Sequence, residues 1–349
     1  MQHRAVLFTG ARSLVLGDTT AVEPGPGEVE IAPAYTGICG TDLHIFHGDM
    51  DHRVHAPMSI GHETSARVTR PGPGVEGWHV GQPVTVMPLL WDDTCPACQV
   101  GHQHLCHALD FIGIDSPGAM QSRMVVPAQT LVELPDELPL DIAALIEPTA
   151  VAVHDVRRAE VSEGERVLVV GCGPVGLLIA IVARSAGADV RVVETDPYRR
   201  SVAAGQRITA LDPAADDVLA IVDRWTHGAG GDVSFEVSGS AAGADLSVAS
   251  LRTRGRLCLV AIHSQPREID LFRFFWRELR LIGARLYERA DFERAVQLVA
   301  SRQVPASDLI SKIEPLGNAV QAFELLEQGG SVMKVLVDCQ DLTKATADA

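Results

Sequence analysis

The first third of the chain alternates apolar and polar positions in short runs that Gly and Pro keep interrupting. By this pattern residues 5–8, 28–35, 63–68, 83–88 and 121–127 read as strands. Pro24-Gly25-Pro26-Gly27 and Pro71-Gly72-Pro73-Gly74 stand between them with strong turn chemistry. The pattern predicts an irregular, mostly antiparallel β domain. From Asp141 the period changes. Residues 142–158 carry helical spacing, and then strands at 167–170, 190–194, 233–237 and 257–262 alternate with helical stretches such as 175–186. Such alternation predicts βαβ units around a parallel sheet, hence an α/β class. After Ile282-Gly283 come helices at 292–300 and 319–328 and a closing strand at 334–337. The polar tail, 340–349, is expected to fray.

Composition changes this picture in three ways. The 349 residues suffice for two domains, each with its own core. A formal net charge of −16 argues against nucleic acid and anionic membranes as partners, since both need clustered Lys and Arg. No apolar stretch reaches the ~18 residues of a membrane span, and residues 1–10 lack a signal peptide's long apolar core. An acidic protein of the cytoplasm is expected. The seven cysteines are an odd number, and Cys95, Cys98 and Cys106 crowd one loop, which favours metal over disulfides. Cys172, Cys258 and Cys339 lie in or beside apolar runs and read as small buried hydrophobes.

Gly171-Cys172-Gly173-Pro174-Val175-Gly176 follows the apolar run 167–170. In a dinucleotide fingerprint, Gly171 makes the tight turn and Gly173 lets the backbone approach a pyrophosphate. Gly176 lets the helix pack against the sheet, with the phosphates on that helix's N-terminus. A strand before, an apolar helix after and an acid at the next strand's end supply the context that the bare motif needs. That acid is Glu194, which directly ends its apolar run, with Asp196 the competitor. A carboxylate there would bond the ribose hydroxyls and repel a 2′-phosphate, favouring NAD over NADP. Arg199 and Arg200 follow closely and partly offset the repulsion.

Upstream, Cys39-Gly40-Thr41-Asp42 and Gly61-His62-Glu63 bring a thiolate, an imidazole and a carboxylate, all Zn²⁺ ligand types, to two glycine-flanked points. With His44, the cysteine loop, Glu147-Pro148 and the glycine fingerprint in that order, the chain resembles the zinc-dependent medium-chain dehydrogenase/reductase superfamily. Within it, the likeness is to the sorbitol (polyol), butanediol and threonine dehydrogenase branch. The resemblance covers essentially the whole chain. It implies a GroES-like, mostly β catalytic domain (residues 1–150, completed by 289–349) around a Rossmann, doubly wound NAD-binding domain (151–288).

Residue by residue, the resemblance makes Cys39, His62 and Glu63 ligands of a catalytic zinc. Glu147 matches a carboxylate that approaches or exchanges onto the metal, where the ethanol-oxidising branch carries a second Cys. Thr41 and His44 match a proton relay, in which the Thr41 hydroxyl takes the alcohol proton and His44 passes it outward. His47, His52 and His55 crowd the same segment. The implied activity is hydride transfer between a secondary alcohol and NAD, with a polyol, sugar, cyclitol or amino alcohol as substrate. Arg285 and Tyr287 fall where the branch places substrate-pocket residues; a surface Arg and a packing Tyr are the alternative.

The structural zinc of the family uses four Cys. Here Cys95, Cys98 and Cys106 match the last three, while Asp92 holds the first position. A carboxylate can complete a tetrahedral zinc site, and His102, His104 and His107 are the other candidates. A loop without metal is the alternative. Two rivals remain for the whole chain. A zinc-free quinone-reductase-like member would lack Cys39, His62 and the cysteine loop. A non-enzymatic NAD-binding homologue would have lost Thr41 or a ligand. A homo-dimer or homo-tetramer is expected.

Overall fold

A computed structural model describes residues 3–263 and 265–343; the predicted tail therefore lies partly outside the described residues. The chain forms two compact units: Met1–Glu147 with Glu288–Ala349, and Pro148–Tyr287.

In the first unit the central sheet runs in the order Leu131–Glu133, Pro83–Val86, Glu63–Pro71, Glu28–Gly37, Lys334–Asp338, Ile310–Pro315. Met124–Pro127 pairs with the start of Glu28–Gly37. Most pairings are antiparallel, but Ile310–Pro315 and Lys334–Asp338 are parallel. Val29, Ile31, Val68, Val84, Val86 and Leu131 fill one core beneath this sheet. The alternation read from the sequence is what gives the sheet one buried face. Ser13–Thr19 pairs with His3–Gly10 as a hairpin, and neither this strand nor Ile310–Pro315 is evident from the sequence.

The second unit is a six-stranded, all-parallel sheet: Thr209–Leu211, Asp189–Val193, Arg166–Val170, Gly231–Glu236, Leu251–Leu259, Arg280–Gly283. Numbered within the unit the order is 3-2-1-4-5-6, the doubly wound arrangement that places its ligand crevice where strand order reverses. Arg166–Val170 is apolar on both faces because helices cover both. The strand predicted at 257–262 instead spans Leu251–Leu259. Its first half, with Arg252, Arg254 and Arg256, is too polar to read as sheet. Among the described residues no helix is long and apolar enough to cross a membrane.

Candidate active site

Ligand atoms of Cys39, His62 and Glu63 lie within 4.8 Å of one another. Cys39 immediately precedes the helix Gly40–His47, and its N–H donates to Asp42 Oδ2 at 2.9 Å, which ties the first turn to the residue bearing the thiol. His62 and Glu63 enter the strand Glu63–Pro71 through Gly61, whose φ of +96° is left-handed. A Cβ on Gly61 would stand 2.7 Å from Thr36 Cγ2, so the reversal that aims both side chains inward requires glycine.

Asp42 is fully buried, and its Oδ1, which has no hydrogen bond, faces His62 Nδ1 at 3.6 Å. Burial pushes the Asp42 carboxyl up, against the pull of His62. Burial works against a charged His62 too, but Asp42 and then Cys39 outweigh it and hold the imidazole up at about 10. A half-buried thiol with a buried imidazole and carboxylate around one point, and a second carboxylate behind the imidazole, is a donor set suited to zinc. Metal arriving there would displace the imidazole proton. Glu63 is also ion-paired to Lys334, itself buried. Asp42 and Lys334 are the residues that sequence reasoning missed. Asp42 stood inside the quoted motif; no signal marked Lys334.

Glu147 is buried near this set rather than within its 4.8 Å group, and its charge helps to raise both His62 and Lys334. Thr41 is half-buried on the helix Gly40–His47, and His44, one turn on, is exposed with Nδ1 3.1 Å from Asp49 Oδ2. His47 pairs with Glu327. Tyr287 is fully buried and Arg285 exposed.

The cysteine loop forms a second group: ligand atoms of Asp92, Cys95, Cys98 and Cys106 also lie within 4.8 Å of one another. Backbone N–H groups converge on it. Asp92 N and Ala108 N each point to Cys106 Sγ at 3.4 Å, and His107 N points to Cys95 Sγ at 3.4 Å. These donors favour thiolates, and the N–H of His107 leads in lowering the Cys95 thiol. Burial, then the neighbouring sulfurs, pushes Cys98 up to about 12. Asp92, rather than one of the three histidines, stands with the three thiols, its Oδ1 fixed by Thr94 N at 2.9 Å and Cys95 N at 3.0 Å. His104 faces Glu288 at 4.0 Å.

In the second unit the fingerprint joins Arg166–Val170 to the helix Pro174–Ser185, with Gly173 as N-cap. Gly171 has φ +97°, and a Cβ on Gly176 would stand 2.0 Å from Gly171 O. Gly173 differs: a Cβ there would meet only Arg199 Nη1, at 3.7 Å. The fold does not need glycine at Gly173, which leaves an open cradle where a phosphate can approach the backbone. Glu194 follows Asp189–Val193 and is buried; it accepts from Cys172 N at 2.7 Å and Asp196 N at 2.9 Å. Arg200 is spent on the Glu194 and Thr195 carbonyls, at 2.9 and 2.7 Å, and on Asp212 at 2.7 Å. Of the two arginines expected to offset Glu194, Arg199 alone lies against the glycine loop.

The alcohol dehydrogenase GroES-like domain family matches residues 25–136, and the zinc-binding dehydrogenase family matches residues 174–301. The chain is 45% identical to 2-dehydro-3-deoxy-L-galactonate 5-dehydrogenase of Pseudoalteromonas atlantica, over 96% of this chain and 98% of that one. Among solved structures, 2R,3R-butanediol dehydrogenase of Bacillus subtilis superposes with a TM-score of 0.90 at 29% identity, covering 96% of this chain and 99% of that one. A zinc-binding dehydrogenase of Sinorhizobium meliloti, bound to NADP, superposes with a TM-score of 0.91 at 30% identity, covering 97% and 99%.

Proposed function

Because this chain belongs to the zinc-dependent medium-chain dehydrogenase/reductase family and is an oxidoreductase of secondary alcohols, we propose that it oxidises one hydroxyl of a polyhydroxy compound with NAD. Sugar acids such as 2-dehydro-3-deoxy-L-galactonate come first, given the relative just described. The observation that carries the reading is the Cys39, His62 and Glu63 group beside a helix that bears a threonine hydroxyl.

In this reading Cys39, His62 and Glu63 hold the catalytic zinc, with Asp42 orienting the imidazole and Glu147 in reserve. Asp92, Cys95, Cys98 and Cys106 hold a structural zinc. Zinc bound at the first group would supply Lewis acidity that eases loss of the alcohol proton, and NAD held by the glycine loop would supply the hydride acceptor. Thr41 takes that proton through its hydroxyl, and His44, exposed and paired to Asp49, carries it outward. Loss of one proton and one hydride leaves a ketone. Gly171, Gly173, Pro174, Val175 and Gly176 receive the pyrophosphate, Glu194 the ribose, and Arg199 borders the same loop. Residues 1–150 with 289–349 act as the catalytic domain and 151–288 as the coenzyme domain. Arg285, which is exposed, contributes to substrate recognition, and fully buried Tyr287 is the packing tyrosine.

Seven free cysteines in an acidic chain suit the reducing cytoplasm. Self-association, as a homo-dimer or homo-tetramer, is supported by an apolar face on the second unit. Leu271, Phe272, Phe275 and Trp276 on the helix Leu271–Arg277 are each more than two-thirds exposed, beside the edge strand Arg280–Gly283. The deciding experiment screens sugar acids, polyols, diols and amino alcohols for NADH formation, alongside metal analysis. NADH formation that survives removal of all zinc would overturn the reading.

A further inference from the structure

The first unit buries a lysine that no step above uses. Lys334 opens the strand Lys334–Asp338, is 2% exposed, and ion-pairs with Glu63. Its Nζ also donates to the Ile38 carbonyl at 3.0 Å, which fixes the ammonium beside the residue that precedes Cys39. The space for this pair comes from Gly37: a Cβ there would stand 2.0 Å from Glu63 Oε2 and 3.0 Å from Lys334 Cε. Sheet register sets Gly37 opposite both Glu63 and Leu336, so three adjacent strands are built around the pair.

A buried ion pair costs desolvation of both ions and is weak evidence for stability on its own. A well-packed apolar pair would serve the core as well, which points to a role at the site. A thiolate from Cys39 and the Glu63 carboxylate already balance a divalent cation, and buried Asp42 and Glu147 add negative charge around it. We propose that Lys334 is a positioning residue of the catalytic metal site: it holds Oε2 of Glu63, leaves the other oxygen to the metal, and offsets the surplus carboxylate charge. One oxygen committed to the ammonium keeps the carboxylate from closing around the cation with both. Outer partners of this kind orient a ligand and tune the metal's affinity and polarising power.

The proposal rests on the catalytic-zinc reading, and zinc retained by the unmutated protein tests that reading separately. Lys334→Gln keeps a donor for the Ile38 carbonyl and removes the charge; Lys334→Met removes both; Lys334→Arg keeps the charge. Protein is dialysed against a weak chelator, and zinc per chain, the rate of zinc release and the absorption of Co²⁺-substituted protein are measured, with NAD affinity as control. Both uncharged variants should lose the catalytic zinc about 10–100-fold more readily, retain the loop zinc, show shifted Co²⁺ bands and bind NAD as before. Lys334→Arg should recover part of the loss. Zinc release and Co²⁺ bands unchanged in Lys334→Gln would overturn the proposal. If the uncharged single variants do not fold, Glu63→Gln/Lys334→Gln, which leaves no unpaired charge, is compared with Glu63→Gln. Zinc held equally by the two supports action through Glu63, and weaker binding by the double variant overturns it.

Discussion

Replacing Glu194 by serine tests coenzyme choice at a single carboxylate. Glu194 is clamped by the Cys172 and Asp196 N–H groups, so its charge cannot swing away from a ribose phosphate. Two unit charges ~4 Å apart repel by about 1 kcal/mol in bulk water and about 4 kcal/mol at an effective dielectric of 20. A 2′-phosphate, with its ~1.5–2 charges, meets at least the lower figure. Of the two arginines that follow Glu194, Arg199 is left to oppose this, because Arg200 is bound to Asp212 and two carbonyls. The unmutated enzyme should therefore prefer NAD at least several-fold in kcat/KM (about 1.4 kcal/mol per tenfold). Glu194→Ser should bring the ratio towards parity, and Arg199→Ala should widen it by weakening NADP. Serine also strands two backbone donors at a cost of about 1–3 kcal/mol, so the NAD/NADP ratio, not the absolute rate, is the quantity to compare. Equal or faster turnover with NADP in the unmutated enzyme would show that Arg199 prevails and would refute the reasoning.

Elemental analysis of protein purified without added metal should give about two zinc per chain, one for each of the two cysteine-containing ligand groups. About one would mean that Asp92 does not complete the loop site, and none would end the zinc mechanism. Cys39→Ser and His62→Ala should abolish turnover and leave NAD binding, measured by fluorescence titration, nearly intact; Glu147→Gln should be milder. The fingerprint glycines should separate cleanly. Gly176→Ala, with its Cβ 2.0 Å from Gly171 O, should destabilise the second unit by about 1–3 kcal/mol in thermal unfolding. Gly173→Ala should cost stability only what an N-cap alanine costs, less than Gly176→Ala, and weaken NAD, since its Cβ meets only Arg199 Nη1 at 3.7 Å. Equal effects of the two on stability would refute the open-cradle argument.

The zinc-type residues and the glycine fingerprint could be read from the sequence because each is compact, and local spacing carries its meaning. Strands with one buried face were readable for the same reason: alternation is a local signal. The helix Gly40–His47 was not, since its buried residues are Asp42, Ile45 and Phe46 and it lacks a continuous apolar stripe. Leu251–Leu259 was seen only in its apolar second half. Asp42 was quoted without a role because its partner, His62, is set by a turn at Gly61 that only the fold reveals. Lys334 carries no motif, and its meaning comes from Glu63 and Gly37, which the sheet brings beside it.

The strand Lys334–Asp338 pairs with Glu28–Gly37, so the first unit is closed by a strand synthesised only after the whole of the second unit. The second unit is one uninterrupted stretch, Pro148–Tyr287. During translation, then, the coenzyme-binding half can fold while the chain is still on the ribosome, as domains generally do when their residues are complete. The metal-ligand half must wait for the strand Lys334–Asp338 to emerge. Until then Glu63 has no ammonium partner, and Cys39 and His62 stand beside an open sheet edge. A chain cut short before Lys334 would thus keep the complete sequence of its nucleotide-binding sheet and lose the closing strand of its metal-binding one.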